Sequence, residues 1–282
     1  MFLDHINLYK EYYTVKSYRN CFSKFKLLND KKIKDIQKYD IQNIMDSFIR
    51  EGLKCISIET YLRRINVFFK YVRDDLNLII ELPTANIKIP KDKENINKKA
   101  LNKKDLKTLL KNLKNNKFYI VAFIAANTGM RVGEILGLTW NDLDEINLSL
   151  NVNKQWKVLK DKKSNFGTLK SKNSYRDIPI SANTLKELKN YKKNNPTDIN
   201  NRIAPFNRAS IDKYLNPKLR ELAGISIHEL RHTYATTLIS NGIDFKTTAQ
   251  ILGHTVGMTM RTYSHVNNDM MKKASDTISK IF

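Results

Sequence analysis

The sequence predicts a mainly α protein with one small antiparallel sheet, organised as two domains. Three observations predict this. Apolar residues recur at helical spacing through most of the first ninety positions and again from Ala100 onward. One stretch, Ile146 to Ile180, changes to alternation of period two. Between the two helical parts, Pro83 and Pro90 bracket an extended TANIKI segment that runs into polar KDKENINKK, which has no apolar period. A chain of 282 residues accommodates one large domain or two ordinary ones.

In order along the chain, Tyr18, Cys21, Phe22, Phe25 and Leu28 form a first helical stripe. Asp40 is placed to cap a helix whose apolar face is Ile41, Ile44, Met45, Phe48 and Ile49. After Gly52, a third stripe runs through Ile58, Tyr61, Leu62, Ile65, Phe68, Phe69 and Val72. These short amphipathic helices share one core, so residues 1–85 read as a helical bundle with Arg63, Arg64 and Lys70 outside. Residues 86–100 read as a basic linker, with five basic and two acidic side chains between Lys88 and Lys99, suited to lie along phosphates. Residues 101–282 form the second domain. Asn102 caps a helix carrying Leu106, Leu109, Leu110 and Leu113. Phe118 to Ala126 is apolar all round, as a buried helix is, and stops at Thr128-Gly129; another helix starts near Arg131. Ile146, Leu148, Leu150 and Val152, then Trp156 and Val158, then Ile178 and Ile180, predict the sheet, with 160–174 as a long basic connection. Helices resume at Ser181 and run to the end, the last as a tail over 268–282 with Met271, Ala274, Ile278 and Ile281 on one face.

Composition narrows the function. Hydrophobic residues make up 41% of the chain, enough for a core. The longest apolar run, Phe118 to Ala126, is far short of the ~20 residues that span a bilayer. The N-terminus lacks a basic-then-apolar signal pattern. Two cysteines, Cys21 and Cys55, make no disulfide framework and read as buried thiols of a reducing compartment. Lys and Arg number 50 against 28 Asp and Glu, for a net charge of +22. A surplus of this size points first to nucleic acid and second to an anionic membrane. A merely solvated basic surface is the plainer alternative.

Of five histidines, four lie in the last 55 residues: His228, His232, His254 and His265. His228 to His232 fits H-E-x-x-H, the zinc-protease pattern, with Glu229 as base. The context opposes it. No glutamate follows His232, and Ala235 and Leu238 occupy the Gly and His places of the extended form. On the same helix His228 and Arg231, three apart, share a face, where an arginine can grip two phosphate oxygens and a histidine can move a proton.

Four segments together resemble the tyrosine recombinases, the phage-integrase type of DNA breaking-and-joining enzyme. TGMRVGE resembles the first arginine box and assigns that role to Arg131, with Glu134 at a supporting acidic position. HELRHTYAT resembles the H-x-x-R box, giving His228 and Arg231. LGHTVGMTMRTYSHV resembles the third box, giving His254 and the nucleophile Tyr263. FGTLKSKNSYRDIPI resembles the hairpin of the catalytic lysine, which falls on Lys170, with Lys172 two residues away as the alternative. Leu169 stands where relatives often carry proline, and Met258-Thr259-Met260 where paired threonines are common.

The resemblance implies a helical, SAM-like core-binding domain followed by a mixed α/β catalytic domain, closing as a clamp on double-stranded DNA. It implies transesterification. Arg131 and Arg231 hold the phosphate, Tyr263 attacks, His228 accepts its proton, His254 donates a hydrogen bond to the phosphate, and Lys170 protonates the leaving 5′-hydroxyl. The 3′-phosphotyrosyl product conserves the bond energy, so no ATP, cofactor or metal is expected. The resemblance also implies a homotetramer acting through a Holliday junction, with the tail docked on a neighbour or on its own domain, and an accessory excisionase or DNA-bending protein. A bacterial or phage-encoded, cytoplasmic integrase of a mobile element is expected. The alternatives are a Xer-like dimer resolvase, a type IB topoisomerase, and a DNA-binding regulator that has lost catalysis. Many relatives carry an N-terminal arm-binding domain; this chain starts in the helical bundle, as a simple recombinase or a shortened chain does.

Overall fold

The computed structural model describes residues 1–90, 100–263 and 278–279, and its chain divides into two compact units. Unit 1 comprises Met1–Ile96 with Val158–Lys163, and unit 2 comprises Asn97–Lys157 with Ser164–Phe282. Residues 91–99 of the expected linker, and the expected tail helix apart from 278–279, lie outside the described residues.

Unit 1 is built on four helices: α1 (Phe2–Tyr9), α2 (Tyr12–Phe22), α3 (Lys38–Arg50) and α4 (Cys55–Asp74). The two later stripes bury their faces as the periodicity requires. Ile41, Ile44, Met45 and Phe48 of α3 meet Ile58, Ile65 and Phe69 of α4 in one core. A second cluster forms where Phe2 meets Tyr18, Phe22, Phe68 and Tyr71, with ring centroids 5.3–5.7 Å apart. Two local expectations are corrected. The first stripe is not one helix: α2 ends at Phe22, and Phe25 and Leu28 reach the core from the N-cap and the last residue of a 3-10 turn at Lys26–Leu28. Asp40 lies inside α3 rather than before it, where its carboxylate accepts from the Gln37 backbone N–H at 2.9 Å.

Unit 2 is centred on α6 (Tyr119–Thr128), buried on nearly every side. Before it comes α5 (Lys103–Leu113), capped by the Asn102 side chain accepting from Asp105 N–H at 2.8 Å. After it, α7 (Val132–Gly137) leads into β1 (Leu143–Asp144), β2 (Ser149–Val152), β3 (Gln155–Val158), β4 (Ser164–Gly167) and β5 (Arg176–Pro179). Then follow α8 (Ala182–Asn194), α9 (Arg208–Ser210), a π-helical turn at Ile211–Leu215, and α10 (Asn216–Ala223). The chain continues through α11 (Ile227–Ser240), α12 (Phe245–Leu252) and α13 (Val256–Tyr263).

The sheet differs from the alternation pattern. β1, β2 and β5 form one antiparallel sheet in that order, with Leu150 opposite Ile178, while β3 and β4 form a separate two-stranded sheet. Ile146 and Leu148 are in no strand. The Asp144 carboxylate accepts from the N–H groups of Ile146 and Asn147, closing a turn, and Leu148 stands at φ +50°. Residues 160–174, read as a plain connection, hold β4 and a 3-10 turn at Lys172–Ser174. No helix among the described residues is long and apolar enough to cross a membrane.

Candidate active site

Helix ends build the site. Helix α12 closes with Gly253 at φ +64°, and the N–H groups of Gly253 and His254 return to the carbonyls of Gln250 and Ala249. This Schellman arrangement satisfies two of the carbonyls left over at a helix C-terminus and leaves the next three. Each of the three receives an arginine. Ile251 O accepts from Arg176 Nε at 2.6 Å, Leu252 O from Arg231 Nη2 at 2.5 Å, and Gly253 O from Arg131 Nη2 at 2.9 Å. The partial negative charge of the helix end favours all three cations. Arg231 also donates to Gly129 O, the left-handed C-cap of α6, at 2.5 Å, so two helix ends converge on one guanidinium.

Each arginine is placed by its own element. Arg131 is the N-cap of α7, with its backbone N–H held by Glu134 at 2.9 Å. Arg231 lies one turn into α11, whose start is fixed by Ser226 and Glu229 in a reciprocal capping box. That is where Glu229 is engaged, rather than as the base of a zinc site. Arg176 opens β5.

One carboxylate balances the cluster. Glu134 is buried and accepts from Arg131 Nη1 and Arg176 Nη2, both at 2.9 Å. Burial pushes its pKa up, but Arg176 and then Arg131 outweigh this and hold it below the ordinary value. Three guanidiniums against one carboxylate leave these four residues with a surplus of two positive charges. Burial and Arg131 press the Arg231 pKa downward, yet a guanidinium stays protonated at neutral pH. A buried surplus of cations is a site for an anion.

His254, the residue just after the Schellman glycine, places its Nε2 2.8 Å from Arg231 Nη2. Guanidinium nitrogens only donate, so this nitrogen accepts. Burial first, then Arg231, Arg131 and Arg176, push its pKa down to about 3, and the ring is neutral. Nδ1 then carries the proton and is buried without a hydrogen-bond partner among the described residues.

Tyr263 ends α13 and is 1% exposed, packed among Ala235, Ile239 and Leu252. Its hydroxyl lies 2.9 Å from His232 Nδ1. Burial pushes its pKa up to about 12, opposed by Arg231.

The structure therefore brings together Arg131, Glu134, Arg231, His254 and Tyr263. His228 is exposed at the start of α11, its ring 5.0 Å from that of His232, and the hydrogen bond recorded at the Tyr263 hydroxyl goes to His232 instead. Lys170 and Lys172 are exposed on the segment after β4, with no hydrogen bond or ion pair to the cluster among the described residues. That segment meets the cluster at Ser174, whose Oγ is 3.5 Å from Arg131 Nη1 and whose carbonyl accepts from Arg176 Nη1 at 2.7 Å. Sequence reasoning singled out neither Arg176 nor His232 for this site, although both lie within the quoted boxes, in YRDIPI and HELRH.

Several known proteins are similar. A XerC-like tyrosine recombinase of Caldanaerobacter subterraneus subsp. tengcongensis is 27% identical, over 94% of this chain and 76% of the relative. The ICEBs1 integrase of Bacillus subtilis is 31% identical, over 58% of this chain and 48% of its own length. In structure, the Tn1549 transposon integrase, solved in complex with a circular intermediate DNA, superposes with a TM-score of 0.75 at 18% identity, over 94% of this chain and 95% of that one. That likeness is one of fold. The Phage integrase family matches residues 99–270, more than half of the chain and all of the arginine cluster, and the chain belongs to that family.

Proposed function

We propose that this protein is a site-specific DNA recombinase that breaks and rejoins strands through a 3′-phosphotyrosyl intermediate. The observation that carries the reading is the pairing of a partly buried two-charge cationic surplus with a tyrosine on the same helical scaffold. A phosphodiester carries one negative charge and its pentacoordinate transition state two. The surplus matches the transition state better than the ground state, which is the condition for lowering a barrier. Arg131 and Arg231 face the non-bridging oxygens, and Glu134 and Arg176 keep Arg131 aimed. Tyr263 forms the bond to phosphorus as the 5′-oxygen leaves with a proton from Lys170 or Lys172. His254, neutral and with its proton on Nδ1, already has an N–H that no described residue accepts, and donates it to a phosphate oxygen.

The partners in this reading are duplex DNA, bound by both units, and three further copies of the chain. The +22 charge supplies most of the affinity. The ICEBs1 relative supports a mobile-element integrase working on DNA in the bacterial cytoplasm. The XerC-like relative, aligned over 94% of the chain, supports chromosome-dimer resolution as the second reading.

Covalent capture tests the proposal. The native chain and Tyr263→Phe are incubated with a randomised library of nicked duplexes, and protein–DNA adducts stable to detergent are recovered. The expected result is an adduct through Tyr263 carrying a 3′-phosphate, with a free 5′-hydroxyl on the other fragment, and none from Tyr263→Phe. Adducts from Tyr263→Phe at the native rate, or none from a native chain that binds the duplexes, overturn it.

A further inference from the structure

We propose that His232 is a catalytic residue, the group that takes the proton from Tyr263 as that tyrosine attacks phosphorus; this rests on the recombinase reading above. Tyr263 Oη and His232 Nδ1 are 2.9 Å apart, across 31 residues of sequence and on different helices. Both side chains are buried, at 1% and 6% exposure, so bulk water is not at hand to receive the proton. Tyr263 needs an acceptor because burial makes its phenol less acidic than a free tyrosine. In a neutral pair the phenol is the better donor, so the O–H points at Nδ1.

The other imidazoles are engaged differently. The Nε2 lone pair of His254 is used by Arg231 at 2.8 Å. His228 sets its ring edge-to-face on His232. The groups facing His232 are thus Tyr263 from α13, His228 one turn earlier on α11, and the neutral ring of His254 beyond α12, with Arg231 alongside Tyr263. This setting couples the proton to the substrate. With the site empty, a new cation on His232 meets a cluster that already has surplus positive charge, and the proton stays on Tyr263. With a phosphate passing toward two negative charges, the same cation is stabilised. The nucleophile is armed only when its target is present.

The step balances. The Oη–H bond breaks and the proton goes to Nδ1. The Oη–P bond forms, the P–O5′ bond breaks, and O5′ takes a proton from the separate lysine acid. In rejoining, the 5′-hydroxyl loses its proton to that lysine and the imidazolium returns its own to Tyr263.

The test uses the full chain and the duplex recovered by covalent capture. His232→Gln keeps an acceptor that can hold the hydroxyl but cannot take a proton. It is expected to bind the duplex and melt as the parent does, while cleavage falls by about 10²–10⁴. The fall in parent rate on acidification, as the base becomes protonated before it can act, should disappear. Replacing Tyr263 with the more acidic difluorotyrosine should restore most of the loss in His232→Gln. A variant that cleaves at the parent rate with the parent pH profile overturns the proposal, as does a loss that difluorotyrosine leaves in place, the mark of a structural role. If His232→Gln does not fold, difluorotyrosine in the otherwise native chain decides: a flattened acid limb supports His232, and an unchanged one overturns it. Failure of the recombinase reading is separate, since it shows as adducts from Tyr263→Phe.

Discussion

Replacing Glu134 with glutamine tests the electrostatic account of the site. The change is nearly isosteric, so it removes charge without opening a cavity. Glu134 meets Arg131 and Arg176 at 2.9 Å each, and the carboxylate side chain is 3% exposed. Removing one partner of a buried ion pair costs about 3–5 kcal/mol. Arg131 is 35% exposed and regains water when released, whereas Arg176, at 6%, does not. The lower end, about 3 kcal/mol, is therefore expected, and in a unit of this size each kcal/mol shifts the melting temperature by about 2–4 °C, so the fall is about 6–12 °C. Calorimetry in dilute chloride at neutral pH measures it. In E134Q the cationic surplus rises from two to three, so sulfate at matched ionic strength should raise its melting temperature more than the parent's. Glu134 has a folded pKa below its ordinary value. Its contribution is therefore whole above the unfolded value of about 4.3 and is lost as pH falls through the lower folded value, so parent and variant should converge only in acid. A variant melting within about 2 °C of the parent, less than about 1 kcal/mol on this scale, with no added sulfate response, would refute the reasoning.

Three further outcomes are expected. Gly253→Ala should lose covalent capture by at least tenfold in a folded chain, because φ is +64° there and the new Cβ would lie 2.9 Å from Asn173 O and 3.1 Å from Arg176 Nη1. Lys170→Ala and Lys172→Ala should separate on a substrate with a 5′-phosphorothiolate leaving group, which needs no acid; rescue of one variant and not the other identifies the lysine that protonates the 5′-oxygen. Cys21 should resist alkylation at pH 8 until unit 1 unfolds, since it is buried and burial pushes its thiol up to about 11, which mass mapping of modified peptides would show.

Much of the helical part was legible because each helix writes its buried face as a repeat. The stripes of α3, α4 and α5, and the all-apolar α6, fell where the periodicity put them. Alternation was less informative. Ile146 and Leu148 keep step with Leu150 and Val152, but the Asp144 side chain closes a turn on the intervening backbone, and Ile146 is left 93% exposed. The resemblance of the motif boxes to the tyrosine recombinases led to Arg131, Glu134, Arg231, His254 and Tyr263, which the structure brings together, and also to His228 and Lys170, which it leaves exposed. Arg176 and His232 were obscure. Their partners, Glu134 and Tyr263, are 42 and 31 residues away, and no local pattern encodes such a contact. The carbonyls of α12 that receive the arginines have no side-chain signature at all.

Those three carbonyls have a consequence for how the protein can vary. They belong to consecutive residues, the last two of α12 and its left-handed cap Gly253, so their directions are set by backbone geometry and not by any side chain. Substitutions along the outer face of α12 leave the arginines where they are. A single residue inserted or deleted within α12 would rotate its last turn by about 100° relative to its first and misdirect all three docking points together. The helix thus behaves as a keyed shaft, tolerant in composition and intolerant in length, and Phe245–Leu252 should keep the same number of residues in any functional homologue, however far its sequence has drifted.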